Sequence, residues 1–104
     1  MSGGVSQKRS ESGRAGRLIR ELRLINQYGI HARPAALFVK TAQRFDANVT
    51  VEKDGMAVSG KSIMGLMTLE AGFGVKLRVS AEGPQAEQAL DELEALVDGK
   101  FGEE

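Results

Sequence analysis

One segment near the end of the chain limits the possible folds most strongly. In residues 75–82, apolar and polar side chains alternate without interruption: Val75, Leu77, Val79 and Ala81 against Lys76, Arg78, Ser80 and Glu82. A period of two is that of a β-strand with one buried face and one wet face. Half-buried strands favour an antiparallel sheet that is covered on one side only, because parallel sheets are buried on both faces.

The rest of the chain supplies the other elements of this sheet and its cover. Shorter alternations predict strands over 20–25, 48–52 and 56–58, and apolar steps of three and four predict helices over 32–45, 62–69 and 85–98. Asp54-Gly55 predicts a tight hairpin, Pro84 suits the start of the last helix, and Gly99 is its expected stop. The order βαββαβα predicts an α+β fold, an open-faced β-sandwich in which three helices cover one face of a four-stranded antiparallel sheet.

Composition excludes several classes of function. A chain of 104 residues has room for one core, and without cysteine it has no disulfides, no thiol catalysis and no thiolate zinc site. The single histidine leaves a transition-metal site short of ligands, so we expect no metal and no cofactor. Formal net charge is zero, and no apolar run approaches the roughly 20 residues that cross a bilayer. There is no apolar leader segment either, so the expected location is the cytoplasm, with no membrane partner.

The N-terminal segment differs from the rest in composition. Residues 1–16 are rich in Gly and Ser, and the first 20 residues hold five basic side chains against one acidic. We predict a disordered basic tail over 1–16 and a folded domain over 17–104. The alternatives for the tail are a solvated extension, a misassigned start, or a segment that touches nucleic acid or a membrane.

The stretch YGIHARPAALFVK, residues 28–40, holds the only histidine, His31. Gly29 permits a sharp turn after the first strand, and Pro34, which lacks an N–H, belongs in the first turn of a helix. His31 is therefore expected at or next to the N-cap, beside unpaired backbone amides and the positive end of the helix dipole. A phosphoryl group on His31 would meet these amides, and Arg33 can contact the same oxygens. The alternatives are a capping or surface histidine and a solvated arginine.

Two motifs in register resemble one known family. GIHARPAALFVKTA is similar to the active-site signature of HPr, the histidine-containing phosphocarrier of the bacterial phosphotransferase system. GKSIMGLMTL, residues 60–69, resembles the HPr segment that bears a regulatory serine. The similarity extends through SAEG at 80–83 and the acidic last helix, over residues 18–104.

The resemblance implies a carrier protein and not an enzyme. It implies that enzyme I phosphorylates His31 on Nδ1 at the expense of phosphoenolpyruvate, that Arg33 assists, and that enzyme IIA-type domains accept the group. It further implies that HPr kinase/phosphorylase modifies Ser62. Partner contacts, including those with a transcriptional regulator, would fall on Ala32, Pro34, Ala36, Ile63, Met64 and Met67. The carrier is expected to be a monomer.

Alternatives remain open. Ser62 also suits a helix N-cap, and Ile63, Met64 and Met67 also suit a core. Tyr28 stands where many sugar-transport members have a small polar residue. A bulkier residue at this position resembles the nitrogen-branch relatives, so a mainly regulatory role is a second hypothesis. The third, a nucleic-acid-binding module using the basic tail, lacks the aromatic strand motif of RNA-binding sheets.

Overall fold

The four predicted strands form one antiparallel sheet. A computed structural model of the chain describes residues 11–12 and 16–103. Its strands are β1 (Glu11–Ser12), β2 (Leu18–Arg23), β3 (Asn48–Lys53), β4 (Met56–Ser59) and β5 (Lys76–Glu82). Their order across the sheet is β1-β2-β5-β3-β4, and every neighbouring pair is antiparallel. The strand with the strongest alternation, β5, is therefore the central one.

Three helices cover one face of this sheet. They are α1 (Ala32–Ala42), α2 (Ile63–Thr68) and α3 (Ala86–Asp98). The side chains between the helices and the sheet form a single core that includes Phe38, Leu66, Leu77, Val79 and Leu90. The alternate strand positions Glu21, Thr50 and Arg78 are exposed on the outer face. The predicted fold class, an open-faced α+β sandwich, is confirmed.

The sequence predicted the tight turn at Asp54-Gly55 correctly and the end of α3 at Gly99 in part. Asp54 and Gly55 join β3 to β4 with φ of 52° and 84°, the left-handed conformations that a tight primed turn requires. Gly99 ends α3, as expected, but with φ of −86°. The left-handed residues come directly afterwards, at Lys100, Phe101 and Gly102. This differs from the expected glycine stop, and it turns the chain back toward the core.

Several helix and strand boundaries differ from the predicted ones by a few residues. The first predicted strand begins earlier, at Leu18, because its pairing with β5 extends to Leu18 opposite Ala81. It ends at Arg23, two residues before the expected end at residue 25, although Leu24 N still donates to Val75 O at 2.9 Å. The first helix ends at Ala42, before the expected residue 45, with a tighter turn in which Phe45 N donates to Ala42 O.

The predicted N-terminal tail is described only in part. Glu11 and Ser12 pair with Ile19 and Leu18 as the short edge strand β1, whereas the composition predicted no ordered element there. Residues 1–10 and 13–15 lie outside the described residues. The prediction of a disordered basic tail over those positions therefore stays a prediction.

A buried arginine joins the sheet to the last helix. Arg20 shares its strand face with Leu22 and is 7% exposed. Its guanidinium donates to Asp91 Oδ1 at 2.9 Å and to Glu94 Oε1 at 2.8 Å, both on α3. A buried cation needs such partners, because an unpaired one is strongly destabilising. Arg20 thus fixes the position of α3 against β2.

Candidate functional site

A short loop after β2 carries the chain to α1. Asn26 closes this loop: its Nδ2 donates to Gly29 O at 2.9 Å, and Gly29 N donates to Asn26 O at 3.3 Å. Ile30 is buried, and its N–H donates to Ala71 O at 2.8 Å. The residue before His31 is therefore anchored to the segment that follows α2.

Gly29 is required by close packing of two backbones. Its φ is +62°, and a Cβ built on it would lie 2.2 Å from Ala71 O and 2.6 Å from Gly72 Cα. Both neighbours are backbone atoms, which cannot rotate away as a side chain can. The sequence predicted a turn at Gly29, and the structure adds that no side chain fits there.

His31 is the N-cap residue of α1, as predicted. Its φ and ψ are −101° and −168°, and its carbonyl accepts the hydrogen bond from Ala35 N at 2.9 Å. The imidazole does not cap the helix, because no side-chain cap hydrogen bond is formed. The side chain is 41% exposed, and its Nε2 lies 3.1 Å from Glu103 Oε2. Tyr28 meets the ring edge to face, with centroids 6.1 Å apart.

The first turn of α1 offers donors beside this ring. The amides of Ala32 and Arg33 precede the first intrahelical bond, and no backbone acceptor in the described part of the chain faces them. The first turn contains no acidic residue. Arg33 is exposed and makes no ion pair with any described residue. The site is thus suited to an anion at the positive end of the helix.

The other predicted site residues lie around α1 and α2. Ile63, Met64 and Met67, which we call the apolar patch, are 41%, 75% and 40% exposed, so they are not core. Ala32 and Ala36 are exposed as well. Pro34, in the first turn of α1, is buried in the isolated chain, so its predicted part in partner contacts stays a prediction. The helices α1 and α2 pack against each other.

Ser62 is the N-cap of α2. Its Oγ accepts a hydrogen bond from Gly65 N at 2.9 Å, and its backbone is extended. The capping interpretation of Ser62 is therefore confirmed, and its phosphorylation stays a prediction. The hydroxyl is only partly buried.

Sequence reasoning missed two residues at the site, Asn26 and Glu103. Asn26 is 1% exposed, and its Nδ2 also donates to Glu103 Oε1 at 3.2 Å. A polar residue between an apolar strand end and a tight turn was the available signal for Asn26. No sequence pattern pointed to Glu103, since it lies 72 positions from His31.

Two features are absent from the described residues, a cluster of metal ligands and a helix that could span a membrane. The described residues contain no group of three or more His, Cys, Asp or Glu side chains that could hold a metal ion. No helix within residues 16–103 is long and apolar enough to cross a membrane.

The structure is an open-faced α+β sandwich with an accessible histidine at the N-cap of its first long helix, the arrangement that the resemblance to a phosphocarrier family implies. Comparison with known proteins agrees: the PTS-HPr family, described as the PTS HPr component phosphorylation site, matches residues 19–98. The chain belongs to the HPr family of the phosphotransferase system.

Individual relatives are similar over most of the domain. Phosphocarrier protein HPr of Treponema pallidum is 44% identical over 87 residues, 84% of this chain and 99% of that protein. The HPr-like protein Crh of Bacillus subtilis is 49% identical over 69 residues, 66% of this chain and 81% of Crh. The crystal structure of HPr-C-His from Thermoanaerobacter tengcongensis has a TM-score of 0.80 at 46% identity, covering 83% of this chain and 97% of that one.

Proposed function

We propose that this protein accepts a phosphoryl group on His31 Nδ1 from enzyme I, which draws on phosphoenolpyruvate, and passes it to enzyme IIA-type domains. The observation that carries the proposal concerns the N-cap residue of α1, His31. Its imidazole is exposed and makes no capping hydrogen bond with the first turn of the helix. The unpaired amides of the first turn and the Arg33 guanidinium can then bind the phosphoryl oxygens. In this proposal the protein is a substrate of other enzymes in the cytoplasm and not itself an enzyme.

The direct test is a labelling experiment with purified components. Incubation with enzyme I and phosphoenolpyruvate should add one phosphoryl group that is acid-labile and base-stable, and a IIA domain should remove it. Omitting enzyme I is the control and should leave the protein unlabelled. Failure of enzyme I to label the folded protein would contradict the proposal.

Arg33→Lys tests whether the guanidinium has a specific role. A lysine keeps the charge but loses the fork of donors that can hold two phosphoryl oxygens. We expect transfer to a IIA domain to be about tenfold slower, which corresponds to one lost charge-assisted hydrogen bond. Lys40→Arg, the converse exchange at the other end of α1, is the matched control and should be silent. Equal rates for wild type and Arg33→Lys would show that only charge matters.

We also propose that Ser62 is a regulatory phosphorylation site for an HPr kinase/phosphorylase. Its hydroxyl is partly exposed and borders the apolar patch, which we propose as the docking surface for partners together with Ala32 and Ala36. Exposed methionines suit a surface that binds several partners. A phosphoryl group on Ser62 would add negative charge at the edge of that surface, and this charge would weaken the docking of an acidic partner.

Ser62→Asp separates regulation from capping. Aspartate is itself a good N-cap and its charge suits a helix start, so the melting temperature should be unchanged or slightly higher. The rate of His31 phosphorylation should fall nonetheless, because an acidic docking site on enzyme I would be repelled. Ser62→Ala is expected to lose about 1 kcal/mol of stability with little effect on the rate. Thr50→Asp, on the outer face of the sheet, controls for added charge.

A mainly regulatory role is the second candidate function. It is supported by the similarity to Crh, which is described as the catabolite repression HPr of Bacillus subtilis and whose solution structure is 43% identical with a TM-score of 0.58 over 76% of this chain. The two functions separate on whether His31 passes its phosphoryl group to a IIA domain. The nucleic-acid hypothesis rests on tail residues that the structure does not describe, and nothing favours it.

The predicted monomeric state is not supported by the relatives. One solved structure, 48% identical with a TM-score of 0.68 over 79% of this chain, is that of an HPr dimer from Thermoanaerobacter tengcongensis. Monomer therefore stays a prediction for this protein, to be checked by its mass in solution.

A further inference from the structure

Glu103 holds two different donors with its two carboxylate oxygens. Oε2 lies 3.1 Å from His31 Nε2, and Oε1 lies 3.2 Å from Asn26 Nδ2. The side chain of Glu103 is 22% exposed, so the contacts are partly shielded from water. A partly buried carboxylate with a ring nitrogen at one oxygen and an amide at the other is a built arrangement, unlike a solvated surface pair.

The orientation of Asn26 is fixed by its surroundings. Its two neighbours are Gly29 O and Glu103 Oε1, both acceptors, so the amide nitrogen must face them and uses both of its hydrogens. The remaining oxygen, Oδ1, is buried without a partner. Exchanging the oxygen and nitrogen would place an acceptor against two acceptors. Asn26 therefore fixes Glu103 as well as the loop before His31.

The hydrogen-bond network assigns the proton on the imidazole. Because Glu103 Oε2 can only accept, His31 Nε2 must carry a hydrogen, and in the neutral ring Nδ1 is then the nitrogen with the free lone pair. This is the assignment that a phosphoryl acceptor at Nδ1 requires.

A left-handed backbone segment after α3 places Glu103 beside His31. Lys100, Phe101 and Gly102 follow α3 with φ of 58°, 55° and 78°, and side chains other than glycine rarely adopt such values. Phe101 is 3% exposed and belongs to the core. Glu103 N donates to Lys100 O at 2.9 Å. The buried Phe101 ring anchors the reversal, so that the next acidic side chain meets His31.

We propose that Glu103, oriented by Asn26, is a positioning residue for His31: it holds the proton on Nε2 and leaves the Nδ1 lone pair to attack phosphorus. This inference rests on the proposed function. In the forward step the P–Nδ1 bond forms, the bond from phosphorus to the donor breaks, and the ring becomes a cation that keeps its Nε2 hydrogen. The carboxylate at the opposite edge of the ring stabilises that cation.

The return step needs no proton movement. When an acceptor attacks phosphorus, the P–Nδ1 bond breaks, its electron pair returns to Nδ1, and the ring leaves as the same neutral tautomer. Glu103 accepts the Nε2 hydrogen before and after each transfer. The requirement is for a carboxylate, because two donors face two oxygens, whereas the amide of glutamine has only one acceptor.

The first test reads the tautomer in the unphosphorylated protein. Nitrogen-15 NMR of His31 at alkaline pH, where histidine side chains are neutral, should show the Nε2–H form alone in the wild type. Glu103→Gln and Glu103→Ala should each reveal a measurable fraction of the Nδ1–H form. Glu21→Gln removes a charge from the exposed outer face of the sheet and should leave the spectrum unchanged. An unaltered His31 spectrum in both Glu103 variants overturns the inference.

The second test reads transfer with the same preparations. We expect kcat/KM for phosphorylation by enzyme I to fall about tenfold in Glu103→Gln, as when a partner that orients an active histidine is lost. A changed tautomer with an unchanged rate would also overturn the proposed role. The NMR result does not depend on enzyme I. If wild-type protein is never labelled, the proposed function fails, while the tautomer measurement still decides the contact with Glu103.

Discussion

His31→Ala is expected to abolish phosphorylation by enzyme I while leaving the domain folded. The imidazole is the proposed nucleophile, and the protein contains no other histidine that could replace it. Its side chain is 41% exposed and makes no cap bond, so truncation removes little packing and no helix cap. We expect the free energy of unfolding to change by less than about 1 kcal/mol. Labelling is measured by mass spectrometry and stability by urea denaturation.

His31→Gln is the matched control for shape. Its amide can still donate toward Glu103 Oε2, so the site keeps a hydrogen bond but has no nucleophilic nitrogen. Both variants should remain unlabelled at any enzyme I concentration, and both should unfold near the wild-type midpoint. Undiminished labelling of either variant would place the phosphoryl group elsewhere. A large loss of stability would instead give His31 a structural role.

Gly29→Ala should produce the largest loss of stability among these variants, about 3 kcal/mol or more. A left-handed φ costs an ordinary residue about 1–2 kcal/mol, and forcing an atom into a closely packed contact adds about 1–3 kcal/mol. The added Cβ would lie 2.2 Å from Ala71 O, the same carbonyl that accepts from Ile30 N. Relief of the clash therefore moves the backbone that positions His31, and phosphorylation should slow as well.

Gly74→Ala separates the two costs. Gly74 also has a left-handed φ, +85°, but a Cβ there meets no atom within 4 Å. It should lose only the conformational part, about 1–2 kcal/mol, with the labelling rate retained. Unfolding in urea, compared at equal slope, gives both values. Equal losses for the two variants would mean that the contact between the backbones at residues 29 and 71 is unimportant.

Much of the fold could be predicted from the sequence. The alternation in β5, the Asp54-Gly55 turn and the apolar stripe of α1 each record which side of an element meets water. Such periodic signals are local, because side-chain direction repeats with the backbone geometry of one strand or helix. The position of His31 at a helix start followed from Gly29 and Pro34 in the same way.

Other features depend on which elements meet, and no local pattern records that. Arg20 has the strand parity of Leu22, but only the packing of α3 supplies Asp91 and Glu94 as its partners. The exposure of Met64 and the burial of Pro34 likewise follow from how the helices pack on the sheet. The placement of β5 between β2 and β3 is decided by long-range hydrogen bonds.

The residues of the site also fall into two groups, those that the sequence predicts and those that only tertiary packing brings together. The sequence by itself determined the histidine, the arginine and the unpaired amides of the first turn, because these lie within three positions of one another and share one helix start. Only the tertiary structure placed the Glu103 carboxylate at Nε2 and the buried Asn26 amide behind it. A hydrogen bond between residues 72 positions apart depends on the chain reversal after α3 and the burial of Phe101. Those contacts form only when the last helix packs on the sheet, so no pattern local to either residue encodes them.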